Sequence, residues 1–179
     1  MHKSIVAVAT LAVVALLAAA CGSASGGAAA SGSGVATPAP TGAGVGDTLS
    51  IAGGSSKLEV TLHGTRRLPA ETADGAVVRP ALFGVKLTIR NLAGSFYDDA
   101  VSLCAVLTDA RGKTHNVAWR ITSRRDDDFR DVLEGVRIPT GGSRTGWVYF
   151  ALDPDVQPST LRFTAEAGFG PETGVWTLE

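Results

Sequence analysis

Side chains that could act as acid–base catalysts or nucleophiles are scarce in this chain of 179 residues, which has three histidines and two cysteines. His63 falls on the polar side of an alternating segment and His115 follows a turn, so we expect both at the surface rather than acting as general bases. Residues 141–145, Gly-Gly-Ser-Arg-Thr, lack the last glycine of a nucleophile elbow and its strand-to-helix setting. We therefore predict that the chain is not an enzyme and holds no cofactor.

One cluster of charged residues stands out at positions 124–131. Its carboxylates are Asp126, Asp127 and Asp128, and they are followed by Phe129 and Arg130. Carboxylates so close together can supply oxygen ligands to calcium, but the spacing lacks the alternation of an EF-hand loop and the nearby arginines can neutralise the acids. We expect a solvated loop and no metal site. If the cluster has a function, it is contact with a charged partner, with Phe129 as an apolar contact.

The second cysteine of the chain, Cys104, is expected to play a structural role. It lies between Leu103 and Ala105, where a thiol behaves as a small apolar side chain. A reactive thiolate would instead need exposure and a cationic neighbour, and only a structure reports these features.

The first cysteine, Cys21, ends a segment with the features of an export signal. Lys3 precedes the apolar run Ile5–Ala20, whose last three residues are small. The segment resembles the signal peptide of bacterial lipoproteins, although that family usually has leucine where Ala18 stands. The resemblance implies cleavage before Cys21, acylation of its sulfur and anchoring in the outer face of the cell membrane. The alternative is an uncleaved membrane helix, but the run is shorter than the roughly 20 apolar residues that a bilayer core needs.

The charge and composition of the rest of the chain limit its possible partners and identify a linker. Removal of Lys3 with the signal leaves 15 basic and 17 acidic side chains, a balance too even to attract nucleic acid or an anionic membrane surface. Residues 22–46 carry no charge and are rich in Gly, Ala, Ser and Pro, which is typical of a flexible tether spanning about 25–30 Å. The alternative, a segment that folds onto a partner, is disfavoured because Val35 and Val45 are its only sizeable aliphatic side chains.

Residues 47–179 alternate between apolar and polar side chains, as half-buried strands do. The clearest apolar rows are Leu58, Val60 and Leu62; Phe83, Val85, Leu87 and Ile89; Leu103, Ala105 and Leu107; and Val148, Phe150 and Leu152. Shorter candidates lie at 48–51, 113–119, 161–163 and 176–178. About seven to eight short strands separated by Gly, Pro and Asp turns predict an all-β antiparallel sandwich, with an open barrel as the alternative. Its core would contain Phe83, Phe150, Phe163, and Trp147 or Trp176.

The order and spacing of five segments resemble a known family. They are Val45–Leu49, Leu58–Leu68, Val85–Asn91, Leu107–Gly112 and Gly141–Phe150. Together they are similar to the telokin-like domain of uncharacterised bacterial lipoproteins and secreted antigens, and the likeness covers nearly all of residues 45–166. It implies an immunoglobulin-like β-sandwich. The family often has a proline–glycine turn before its last long strand, where this chain has the slightly longer Pro139–Gly142. No activity is established for the family, so the resemblance implies no site residue.

These observations predict a signal at 1–20, the lipidated Cys21 with a linker at 21–46, and one β-sandwich domain at 47–179. We expect an interaction module of the bacterial envelope that presents loops or a strand edge to another envelope protein or peptide. The alternative is a protein that binds a small ligand or a metal ion between its sheets or at one end. The fold alone does not choose between them.

Overall fold

The computed structural model describes residues 42–118 and 131–178. These residues contain twelve strands and one short helix: β1 (Thr48–Gly53), β2 (Ser56–Leu68), β3 (Glu71–Ala73), β4 (Ala76–Arg79), β5 (Leu82–Gly94), β6 (Tyr97–Asp99), α1 (Val101–Cys104), β7 (Ala105–Asp109), β8 (Thr114–Asn116), β9 (Val136–Ile138), β10 (Ser143–Ala151), β11 (Pro158–Thr164) and β12 (Thr173–Thr177).

Eight of these strands form two antiparallel sheets, with strand orders β1-β2-β5-β10 and β12-β11-β7-β8. Apolar side chains from both sheets meet in one buried core. The other strands have three or four residues and pair as β3–β4 and β6–β9. The predicted all-β antiparallel sandwich is confirmed.

Alternation along the longest strands places one row of side chains in the core. Leu58, Val60 and Leu62 of β2 are fully buried, while the neighbouring polar side chains are not. The row from Phe83 to Ile89 on β5 is buried in the same way. Each such side chain contributes about 1.5–3 kcal/mol through burial, so these two central strands provide much of the driving force for folding.

The two tryptophans considered for the core have different positions. Trp176 of β12 is fully buried, and its Nε1 donates a 3.1 Å hydrogen bond to the carbonyl oxygen of Asp47. Trp147 is only half-buried. It belongs to the outer row of β10, because Val148 and Phe150 on that strand are core residues. The core tryptophan is therefore Trp176.

One predicted strand begins later than the alternation suggested. Leu103 is 55% exposed and lies in α1, and the strand that contains Leu107 starts at Ala105. A single turn of helix buries Val101 and Cys104, three residues apart, and turns the intervening Leu103 outward. The prediction of Leu103 as a core residue was wrong for this reason.

Short segments cover one edge strand of each sheet, β12 in one and β10 in the other. Thr177 of β12 donates a hydrogen bond to the carbonyl of Ala43, which forms a parallel bridge with Trp176. At the edge of the other sheet, Ala118 donates to the Tyr149 carbonyl. Leu133 donates to the Trp147 carbonyl in the same way. Such coverage removes backbone groups that another strand would need for pairing.

The only helix in the described part of the chain is α1, and it has four residues. No helix in residues 42–118 or 131–178 has the length and apolarity needed to cross a membrane.

Candidate functional site

The site residues predicted from sequence lie outside the described residues. This applies to Cys21 and to the cluster of Asp126, Asp127, Asp128, Phe129 and Arg130, so both assignments stay predictions. The residues on either side of the cluster are described, and both bond to β10. Ala118 donates to the Tyr149 carbonyl at 2.7 Å, and Trp147 donates to the Asp131 carbonyl at 2.6 Å. Ala118 and Asp131, the described residues on either side of the cluster, therefore both lie beside β10.

The expectation for Cys104 is confirmed, because its thiol is buried and unpaired with another cysteine. Its Sγ donates to Asp99 Oδ2 at 3.2 Å, and the same oxygen accepts a 2.9 Å hydrogen bond from the Tyr97 hydroxyl. Burial raises the pKa of Cys104 to about 12, and the Asp99 carboxylate adds to this effect. Burial is also the main cause of a raised pKa at Tyr97, and the nearby Cys104 and Asp99 raise this pKa further. Neither group ionises at neutral pH, so the thiol is not a nucleophile there.

The carboxylate of Asp99 also holds a turn in another part of the sequence. Its Oδ1 accepts a hydrogen bond from the Ala167 amide at 3.1 Å. Ala167 belongs to the β11–β12 turn, in which three successive residues, Glu166, Ala167 and Gly168, have φ values of 56°, 53° and 91°. Left-handed backbone costs roughly 1–2 kcal/mol at a residue with a β-carbon. Such strain persists only where surrounding contacts impose it, and it is often found at functional sites.

This strained turn presents an aromatic side chain to solvent. Phe169 is 88% exposed, and its amide donates to the Glu166 carbonyl at 3.0 Å. Two more large apolar side chains, Phe96 and Leu103, are each 55% exposed. Leu103 lies beside this turn, because a β-carbon added at Gly168 would be 3.2 Å from the Leu103 carbonyl oxygen. We call Leu103 and Phe169 the apolar tip.

Two exposed acidic residues lie beside the apolar tip. Glu166 belongs to the same turn as Phe169, and the carbonyl of Glu134 accepts a hydrogen bond from the amide of Ser102, next to Leu103. Among the described residues, Arg137 lies 3.8 Å from Asp98 and 4.9 Å from the centre of the Phe96 ring. The arginine is thus already engaged by an acid and a ring. An apolar surface with an acidic surround is complementary to an apolar segment that carries positive charge.

Sequence reasoning did not find the apolar tip. Phe169 stands between Gly168 and Gly170, and a large apolar residue flanked by glycines outside the alternating rows was an available signal. Leu103 was assigned to the core because it continues the row of Ala105 and Leu107. The contact between Asp99 and Ala167 joins residues far apart in the chain, and no local pattern reports it.

The two histidines that were expected at the surface differ in environment. His63 is exposed, and its Nε2 lies 2.7 Å from the Thr88 hydroxyl. The His115 side chain is only 12% exposed, and its Nε2 lies 2.9 Å from Asp109 Oδ2. The hydrogen bond from His115 is the main cause of a lowered pKa at Asp109. His115 is therefore a partly buried partner of a carboxylate rather than a surface histidine, and its surface assignment was wrong.

A further feature that the sequence did not indicate lies on the outer face of the first sheet. The Arg66 guanidinium lies 4.1 Å from the centre of the Trp147 ring and also bonds to the Tyr149 hydroxyl. Stacking of a guanidinium on aromatic rings is favourable. Tyr149 is fully buried although it points away from the sandwich core, so this face is covered locally by packed side chains.

No cluster of three potential metal-ligating side chains occurs among the described residues. The expectation that the chain binds no metal nevertheless stays a prediction, because residues 126–128 lie outside that part of the chain.

The sequence matches no protein-family model and no curated protein. Solved structures do match the fold. The secreted protein MPT63 from Mycobacterium tuberculosis is 20% identical, with a TM-score of 0.55, and the match covers 79% of this chain and 99% of that one. The yjhA protein from Bacillus subtilis is 13% identical, with a TM-score of 0.58 and coverage of 76% and 99%.

A third match is the candidate lipoprotein ycdA from Bacillus subtilis subsp. subtilis strain 168. It is 16% identical, with a TM-score of 0.52, and the match covers 74% of this chain and 38% of that one. At these identities the likeness concerns the fold alone. The sequence-based expectation that the domain shares its fold with bacterial secreted antigens and candidate lipoproteins is confirmed.

Proposed function

We propose that this protein is a non-catalytic interaction module of the bacterial envelope, held outside the cytoplasm by lipid on Cys21. The observation that carries the proposal is the apolar tip, in which a strained turn fixed by Asp99 holds Phe169 in solvent. Exposed apolar patches mark sites of protein interaction, and aromatic residues are typical anchors of protein interfaces.

Loops, rather than the edges of β10 and β12, form the contact surface. Ala43 bridges to the edge strand β12, and segments around Ala118 and Leu133 bond to β10. Addition of a partner strand needs a row of free amide and carbonyl groups. The covered edges offer few, whereas the apolar tip is open to solvent.

The partner is a protein segment with apolar side chains and positive charge. The apolar tip provides the apolar contact, and Glu134 and Glu166 provide the negative charge around it. An anionic lipid surface is a poorer match, because the same carboxylates would repel it.

Two features support the non-catalytic part of the proposal. The pKa of the Cys104 thiol is raised to about 12, which removes it as a nucleophile at neutral pH. The Nε2 atom of His115 is engaged by Asp109, and the lining residues of the cavity beside it include no serine, threonine or cysteine.

Site-specific photocrosslinking on intact cells tests the contact surface. A photoreactive amino acid placed at Phe169, or at Leu103 in a second variant, should capture the same protein species. The matched control is Val77, which is 66% exposed on the separate β3–β4 hairpin and should not capture that species. Capture of the same species from Val77, or no captured species from either tip position, would refute the proposed surface.

Metabolic labelling with an alkyne fatty acid tests the anchor. The wild-type chain should carry the label and partition into detergent, and the Cys21→Ala variant should do neither. A Cys104→Ala variant is the control and should be labelled like wild type. An unlabelled wild-type chain that keeps residues 1–20 would contradict the anchor.

A further inference from the structure

The cavity beside His115 lies between the β7–β8 turn and the loop that joins β10 to β11. The cavity has a volume of about 460 Å³. Sites for small molecules typically have volumes of roughly 300–1,000 Å³. Size alone therefore permits a ligand larger than a single ion.

The carboxylate of Asp109 fixes the shape of the β7–β8 turn. Its Oδ1 accepts hydrogen bonds from the amides of Arg111 and Lys113, each at 2.9 Å, and its Oδ2 bonds to His115. Asp109 is almost completely buried. Its charge is thus satisfied within the turn, and the side chains of Arg111 and Lys113 are free to line the cavity.

The opposite side of the cavity is attached rigidly to this turn. Ala110 donates a 2.9 Å hydrogen bond to the Gln157 carbonyl, and Asp109 pairs with Pro158 at the start of β11. The loop from Asp153 to Val156 is therefore held at a fixed position relative to the β7–β8 turn. A preorganised site of this kind loses little entropy when it binds a ligand.

The two sides of the cavity carry opposite charges. Arg111 and Lys113 form the basic wall, on the β7–β8 turn, and Asp153 and Asp155 form the acidic wall, on the β10–β11 loop. Within residues 42–118 and 131–178, none of these four side chains takes part in an ion pair. Apolar lining comes from Pro80, Leu152 and Val156.

We propose that this cavity binds a short zwitterionic peptide, with its terminal carboxylate at the basic wall and its terminal ammonium at the acidic wall. A simple anion would meet repulsion from the acidic wall, and a simple cation would meet repulsion from the basic wall. A ligand with both charges satisfies both walls, and its apolar middle contacts Leu152 and Val156. The inference is independent of the function proposed for the apolar tip.

Isothermal titration calorimetry of the full-length chain in detergent with the tripeptide Ala-Leu-Ala tests the proposal. The peptide with free termini should bind, and its N-acetylated and C-amidated forms should each bind about tenfold more weakly, because each lacks one charged group. This comparison needs no variant of the protein. Equal affinity for all three peptides, or no heat at about 10 mM peptide, would overturn the proposal.

Two double variants show which wall of the cavity binds which end of the peptide. The double variant Asp153→Asn with Asp155→Asn should bind the free peptide about tenfold more weakly and should lose the preference for a free amine. Arg111→Gln with Lys113→Gln should instead lose the preference for a free carboxylate. The control is Asp74→Asn with Arg144→Gln, exposed charges outside the cavity lining, which should bind like wild type. Wild-type preferences in both wall variants would also overturn the proposal.

Discussion

The thiol of Cys104 donates a 3.2 Å hydrogen bond to Oδ2 of Asp99, and the other oxygen of that carboxylate accepts the amide of Ala167 at 3.1 Å. One carboxylate thus links the end of α1 to the strained β11–β12 turn. The buried network beneath the surface and the exposed Phe169 above it are parts of the same arrangement. Substitutions in this hydrogen-bond network are therefore expected to change the position of Phe169.

The raised pKa of Cys104 predicts a loss of stability in alkali. Burial, assisted by Asp99, raises this pKa from 9.0 to about 12. Between these pH values the unfolded chain releases the thiol proton and the folded chain retains it. The free energy of unfolding should therefore be unaffected by this group below about pH 9 and fall as the pH rises toward 12. The melting temperature measured from pH 7 to 11 checks this.

The comparison should be made in a Cys21→Ser background, so that Cys104 is the only thiol. Cys104→Ser keeps a hydrogen-bond donor near Asp99 but does not titrate in this range. Its melting temperature should fall less steeply above pH 9 than that of the parent. Identical slopes would show that the thiol is not the titrating group.

The same burial predicts that the thiol is unreactive in the folded state. In the Cys21→Ser background at pH 8, Cys104 should react with a disulfide reagent about 100-fold more slowly in native protein than in denaturant. Absorbance of the released thiolate measures both rates. Equal rates would mean that Cys104 is accessible and would remove the argument against nucleophilic chemistry.

A β-carbon at Gly84 would collide with a buried aromatic ring. It would lie 2.7 Å from Cε1 of Tyr149, closer than van der Waals contact allows. We expect Gly84→Ala to lower the free energy of unfolding by about 1–3 kcal/mol, the usual cost of overpacking. Denaturant titration measures the change.

Gly64 provides the matched control on the neighbouring strand β2. A β-carbon there would have no atom within 4 Å. Gly64→Ala should therefore be neutral or slightly stabilising, since alanine loses less backbone entropy on folding than glycine does. Equal destabilisation by both substitutions would point to a general requirement for glycine in this sheet rather than to the Tyr149 ring.

The left-handed backbone at Ala167 predicts an unusual response to glycine. Ala167→Gly relieves strain of roughly 1–2 kcal/mol, which offsets the entropy that glycine loses on folding, about 0.5–1 kcal/mol. The variant should be as stable as wild type or slightly more stable. Ala93, an exposed residue of β5 without left-handed backbone, is the control, and Ala93→Gly should lose about 0.5–1 kcal/mol. The reverse order of stabilities would contradict the strained turn.

The pair formed by His115 and Asp109 predicts a loss of stability in acid. The hydrogen bond from His115 lowers the pKa of Asp109 below its usual value of 3.8. A lowered carboxyl pKa stabilises the fold above the unfolded-state value, and this stabilisation disappears as the pH falls through the folded-state pKa. Asp109→Asn should lower the melting temperature at pH 6 and flatten its decline below about pH 4. Asp155→Asn, an exposed neighbour, should keep the wild-type profile.

Alternation of side chains predicted the two central strands and most of the core, because period two places Leu58, Val60 and Leu62 on one face whatever the rest of the chain does. The same rule failed at Leu103, where one helical turn interrupts the row. The apolar tip was not predicted, since it depends on a contact between Asp99 and Ala167 that no local pattern encodes. The pairing of β6 with β9 could not be predicted from local patterns either, because these short strands are far apart in the sequence.

The way in which residues 42–47 join the domain determines how it responds to a mechanical load. A pull applied through Gly42 acts first on the hydrogen bond from Thr177 to Ala43, and then on the pair of bonds that join Leu62 to Gly46 and Asp47. The turn that carries Phe169 is held by a different contact, the hydrogen bond from the Ala167 amide to Asp99. Loss of the Thr177 and Leu62 bonds would therefore release residues 42–47 from β12 and β2 without removing the bond that holds this turn.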